Sequence, residues 1–155
     1  VMNLQERLMA DLQAAMRSQD SARKDAIRMV RAAIKNAEID WQREATDEEI
    51  QKLISTEVKR RREAIELFRQ GGRADLVASE EAQIAILAQY LPAQLSEDQI
   101  AEIVQRVIND LGAMGLEDLG AVMRQVMAQV KNQADGRLVS TLTRQMLARK
   151  AMGAS

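Results

Sequence analysis

Apolar residues recur three and four positions apart along this chain, the period of α-helices that bury one face. Leu4, Leu8, Leu12, Ala15 and Met16 form the first stripe, with Asn3 ahead of it as a cap. Ser18-Gln19-Asp20-Ser21 reads as a turn and a new cap. A second helix is predicted over about residues 22–44, burying Ile27, Val30, Ile34, Ala37 and Trp41. Thr46 with Glu49 three residues on has the capping-box form, which opens a third helix running to about Gln70. Its stripe is Ile50, Ile54, Val58, Ile65 and Phe68, and Gly71-Gly72 supplies a left-handed stop. A fourth helix, about 74–91, carries Leu76, Ile84, Leu87 and Leu91 on one side.

Pro92 ends that helix, because its ring disfavours helical backbone at the residue before it. Leu91-Pro92-Ala93-Gln94-Leu95 is therefore the predicted domain boundary. Ser96 caps a fifth helix through about Leu111, with Ile100, Ile103, Val104, Val107 and Ile108 inward. Gly112 and Gly115 bracket a turn, and a sixth helix over about 116–130 packs Leu119, Val122, Met123, Val126 and Val130. A seventh begins after Asp135 and buries Leu138, Val139, Leu142, Met146 and Leu147, while Ala151 to Ser155 reads as a frayed tail. The expected fold is all-α, with an N-terminal four-helix domain over 1–92 and a three-helix domain over 93–150.

Composition agrees with helices. Aromatics are 2% of the chain (Trp41, Phe68 and Tyr90), so the core must be aliphatic and methionine-rich, and seven Gly with one Pro leave few turns for an all-β fold. The absence of Cys and His excludes disulfides, histidine or cysteine zinc sites, and Ser-His or Cys-His nucleophiles. No catalytic residue, metal or cofactor is expected. Net charge is −1, so no whole-molecule field draws nucleic acid or membrane. No basic segment followed by an apolar run marks a signal peptide, and no apolar stretch nears the roughly 20 residues of a membrane span. The expected compartment is the cytosol, with no membrane partner.

Three charge patterns are candidate chemistry. Of the acidic clusters Asp47-Glu48-Glu49, Glu80-Glu81 and Glu97-Asp98, two sit in the first turn of a predicted helix, so they read as structural charges more readily than as acid–base or metal-binding pairs. Glu57 and Arg61 fall inside the apolar stripe of the third helix and Glu80 inside that of the fourth. Charges so placed call for pairing, so they read as an interhelical ion network, with a ligand site as the alternative. The third pattern is cationic. Lys24, Arg28, Arg31 and Lys35, spaced by four, three and four, share one face of the second helix. Lys59-Arg60-Arg61-Arg62 adds a run on the third, and Lys131, Arg137, Arg144, Arg149 and Lys150 face Asp135 alone near the C-terminus. Such rows neutralise phosphates, or form solvated faces.

These blocks carry a resemblance. Tyr90-Leu91-Pro92-Ala93-Gln94-Leu95-Ser96-Glu97 resembles the junction segment of the YqeY family. Upstream, Ala32-Ala33-Ile34-Lys35-Asn36, Lys59-x-Arg61-x-Glu63, Phe68 and Arg73-x-Asp75-Leu76 are similar to its helical N-terminal domain. Downstream, Leu119-Gly120-x-Val122-Met123 and Ala134-Asp135-Gly136-Arg137-Leu138-Val139 are similar to its three-helix domain, which itself is similar to the tail of the B subunit (GatB) of the tRNA-dependent amidotransferase. The resemblance covers about residues 3–149. Asn132 and Gln133 stand where the family has Gly and then a basic residue; Asn is expected to keep the left-handed stop.

The resemblance implies an accessory role, since that tail helps hold tRNA and the amide-forming chemistry belongs to other parts of the complex. The expected function is a non-catalytic RNA-binding or tRNA-binding accessory protein. The alternatives are a protein–protein adaptor in translation or amidotransfer, or an accessory subunit of a carbon–nitrogen ligase using glutamine as amide donor. The nucleic-acid contact is expected at the start of the seventh helix, where Asp135 caps, Lys131 and Arg137 lie on either side, and Arg144 extends the row.

Overall fold

Helices start where a side chain can take up the backbone N–H groups that a first turn leaves unpaired. In the computed structural model, which describes residues 1–153, Asn3 accepts from the Glu6 N–H at 2.8 Å and opens α1 (Leu4–Ser18). Asp20 accepts from Arg23 N–H at 3.1 Å and opens α2 (Ser21–Trp41). Complete capping boxes open α3 (Asp47–Gln70), through Thr46 and Glu49, and α5 (Glu97–Leu111), through Ser96 and Gln99. Between them, α4 (Ala74–Ala88) has no side-chain cap bond. A 3-10 turn at Leu116–Asp118 precedes α6 (Leu119–Val130), and another at Lys131–Gln133 precedes α7 (Gly136–Ala151). Seven α-helices and no strand are present among the described residues, and none of these helices is long and apolar enough to cross a membrane.

The chain divides into two compact units, Val1–Pro92 and a second beginning at Ala93. In the first, α1 packs on α2, α2 on α3 and α4, and α3 on α4. Leu8, Ile27, Ile50, Ile54 and Leu87 are fully buried between them. In the second, α5, α6 and α7 each pack on the other two around Ile100, Val104, Val122, Val126 and Leu147. Residues 93–95 are tied to the α6–α7 turn: Leu95 N–H donates to the Gln133 carbonyl at 2.8 Å. The Gln94 side chain donates to the Asn132 carbonyl at 3.0 Å, and that of Gln133 to the Ala93 carbonyl at 3.3 Å.

Several boundaries differ from the sequence expectation. The second helix stops at Trp41 because Gln42 takes left-handed backbone (φ 55°, ψ 38°) and the Ala45 N–H turns back to the Glu38 carboxylate at 2.7 Å. Trp41 is not buried but 41% exposed, since α2 outruns the core beyond Ile34 and leaves Ile39 exposed as well. The fourth helix stops at Ala88, where Gln89, Tyr90 and Leu91 tighten to i−3 hydrogen bonds before Pro92. At the other end, Ala151 still belongs to α7. Met152 and Gly153 form a turn, and the remainder of the expected tail lies outside the described residues.

Candidate functional site

The cationic row on α2 follows from how that helix is buried. Ala26, Ile27, Val30 and Ile34 face the core, so Lys24, Arg28, Arg31 and Lys35 come out on another face. Arg28 and Lys35 are exposed, Lys24 and Arg31 half-buried. Among the described residues, none of these four side chains forms an ion pair or a hydrogen bond. Two nearby carboxylates are committed elsewhere. Glu38 accepts from the Gln5 amide at 2.9 Å and from Ala45 N–H at 2.7 Å. Asp20 caps α2 and pairs with Arg23 at 3.3 Å.

Arg28, Arg31 and Lys35 edge an open groove of about 960 Å³ between α1 and α2, whose apolar lining includes Leu8, Met9, Ala10 and Ile34. Lys24 and Arg28 also line a smaller hollow of about 460 Å³ at the α1–α2 turn. The row is therefore a line of uncommitted positive charge along a groove. Its chemistry suits an extended anionic ligand.

The charges on the α3 stripe have the opposite fate. Arg61 is 5% exposed and Glu57 7%. The Arg61 guanidinium donates to the Glu57 carboxylate at 3.0 Å, the Glu57 carbonyl at 3.2 Å and the Gln83 side chain at 2.9 Å. Its remaining nitrogen donates to the Met29 sulfur at 3.1 Å, and Glu80 stands 3.9 Å away. Arg60 holds the other Glu57 oxygen at 3.1 Å. With its donors engaged by α2, α3 and α4, Arg61 joins three helices and offers nothing to a ligand. Two of the three acidic clusters also have structural partners. Asp47 accepts from Leu4 N–H at 3.2 Å, Glu49 closes the capping box, and Glu81 faces Arg69 at 3.8 Å. No group of three His, Cys, Asp or Glu suited to a metal occurs among the described residues.

At the start of α7, Asp135 accepts from Arg137 N–H at 3.2 Å and so fills one of the free donors of that helix end. Arg137 and Arg144, seven residues apart, share an exposed face, with Arg144 donating to Ser140 at 3.3 Å. The left-handed stop expected at Asn132 is absent. The positive φ falls one residue earlier, on Lys131 (φ 45°, ψ −121°), and Asn132 sits in the 3-10 turn. The reason is the docking of residues 93–95, which engages the carbonyls of Asn132 and Gln133.

Two arrangements went unread in the sequence. Tyr90 is buried, donates a hydrogen bond to Asp11, and lies under Arg7, whose guanidinium carbon is 4.6 Å from the ring centre. Burial and Asp11 push its hydroxyl well above the usual tyrosine range. Trp41 lies under Arg43 at 4.9 Å, and Arg43 is held by two hydrogen bonds of 2.7 Å to Glu49. That guanidinium, with the Thr46 N–H, draws the Glu49 carboxyl down to about 2. The close sequence pairing Arg43…Glu49 was the available signal.

Fold and surface together define an all-helical protein in two units whose concentrated uncommitted chemistry is cationic. Comparison of the sequence with known families makes this specific. The family described as Yqey-like protein matches residues 5–147, and the chain belongs to that family. Among its relatives is "Altered inheritance of mitochondria protein 41, mitochondrial" of Pyrenophora tritici-repentis, 34% identical over 93% of this chain and 81% of that protein. Proteins of the same name in Lachancea thermotolerans and Saccharomyces cerevisiae (strain YJM789) are 41% and 34% identical over 66% and 69% of this chain. The chain spans only 54% and 58% of the length of those two. The cytosolic expectation is overturned by these relatives, which are named as mitochondrial proteins. It rested on the lack of a signal-peptide pattern and of an apolar span, and neither is an address to a compartment.

Proposed function

We propose that this chain is a non-catalytic accessory protein that binds RNA along its phosphate backbone. The principal contact is the α2 row, and Lys131, Arg137 and Arg144 on the second unit are a lesser one. The observation that carries this reading is the absence of any carboxylate partner for Lys24, Arg28, Arg31 and Lys35 among the described residues. A helix rise of about 1.5 Å per residue makes the row about 16 Å long, enough to meet several consecutive phosphates. The α7 cluster ranks second because Asp135 brings negative charge to that helix end and Arg144 is bonded to Ser140.

The test is a titration of tRNA across a salt series with the wild type and Lys24→Ala/Arg28→Ala/Arg31→Ala/Lys35→Ala. Four released contacts should flatten the log–log salt dependence by about 3 units. Absence of binding by the wild type at low salt, or equal slopes for both proteins, overturns the reading. A protein-docking adaptor is the second reading, favoured by the exposed apolar groove residues Met2, Met9 and Ala32. Such a contact would hold at high salt, where a phosphate contact fades.

A further inference from the structure

α2 carries a second surface feature that phosphate neutralisation leaves unexplained. Trp41, the only tryptophan, closes the helix with 41% of its surface in solvent. A large aromatic at the end of an apolar stripe is normally covered. Here the chain leaves the helix at Gln42 and sets the Arg43 guanidinium over the ring, 4.9 Å from its centre. Arg43 in turn is fixed by its two bonds to Glu49, and Glu49 by the capping box of α3. The indole is thus flanked by a cation that is itself anchored, and stands partly clear of the core. Along α2, Trp41 stands six residues past Lys35, about 9 Å on and roughly a third of a turn round the helix. That lies within reach of a nucleotide following those bound along the row.

We infer that Trp41 is a stacking platform for an unpaired base, so that the α2 row and Trp41 together select single-stranded RNA over duplex. Single-strand binders combine a cationic track for the backbone with an aromatic ring for the bases, and a flanking arginine adds to such a stack. A duplex offers its phosphates to the row but keeps its bases stacked on one another, leaving nothing for the ring. The inference rests on the RNA reading given above.

Because Trp41 is the sole tryptophan, its fluorescence reports this position alone. A short single-stranded oligoribonucleotide should quench the emission saturably, in step with binding followed through a label on the RNA. A blunt duplex of equal length should bind more weakly and leave the emission unchanged. Trp41→Ala should weaken single-strand binding about tenfold with no change in salt slope, and Trp41→Phe should restore most of the loss. Binding that depends on the α2 cations but neither quenches Trp41 nor weakens in Trp41→Ala refutes the platform and leaves the RNA reading standing. No binding of either RNA by the wild type removes both.

Discussion

The first unit buries an ion pair between its helices, whereas the buried side chains described in the second are aliphatic apart from Thr143. In the first, buried Arg61 and Glu57 link α2, α3 and α4, Tyr90 reaches Asp11, and Asp47 holds the start of α1. Among the described residues of the second, the buried polar side chain is Thr143, whose hydroxyl donates to the Val139 carbonyl of its own helix at 2.7 Å. A buried ion is costly to desolvate, so it persists where every donor is met, as Arg61 shows. The cations of α2 belong to the same unit yet have no such partners. Their side chains therefore add no pairing energy to the fold.

The largest effect should come from breaking the polar tie of the first unit. Arg61→Ala leaves the buried Glu57 carboxylate with Arg60 as its sole described cationic partner and should cost about 3 kcal/mol in denaturant unfolding. Arg61→Met with Glu57→Gln, which removes both charges together, should recover much of that loss.

The second unit should respond in the opposite direction at Lys131. Its backbone lies in a region that side chains rarely adopt, so Lys131→Gly should stabilise by about 1 kcal/mol, while Lys131→Ala should not. Thr143→Val should change stability by less than about 1 kcal/mol, because the Val139 carbonyl keeps its backbone helix bond.

The smallest effect concerns Glu49. Its carboxyl is held at about 2, below the ordinary 4.5, by Arg43 and the Thr46 N–H. The stabilisation it brings is therefore complete above about pH 4.5 and lost as pH falls through about 2. NMR titration of Glu49 should show this low midpoint, and Arg43→Ala should raise it.

Much of the fold was legible because local chemistry and global packing agree. Thr46 with Glu49, and Ser96, announce the starts of α3 and α5 before any tertiary contact is known. The stripes of α5 and α6 likewise predict the core of the second unit. Trp41 was misplaced because periodicity says where a side chain points but not where the neighbouring helices end. On α4, apolar residues surround the helix, so the pattern did not single out Ile86, which is buried while Leu76 is half-buried. The four-residue spacing of Glu57 and Arg61 was readable, but Met29 and Gln83 come from other helices and could not be. Nor could sequence spacing show which cations lack carboxylates, since Glu38 and Asp20 are drawn away by Ala45, Gln5 and Arg23.

We propose that the α2 row of the first unit, more than the cations of the second, holds RNA. The most direct measurement compares salt slopes for tRNA binding by the wild type, the α2 quadruple alanine variant, and Lys131→Ala/Arg137→Ala/Arg144→Ala. The account predicts that the quadruple variant loses about 3 units of slope and most of its low-salt affinity, while the triple variant loses about 2 units or fewer. Equal slopes for the wild type and the α2 variant, or a larger loss in the triple variant, would contradict it.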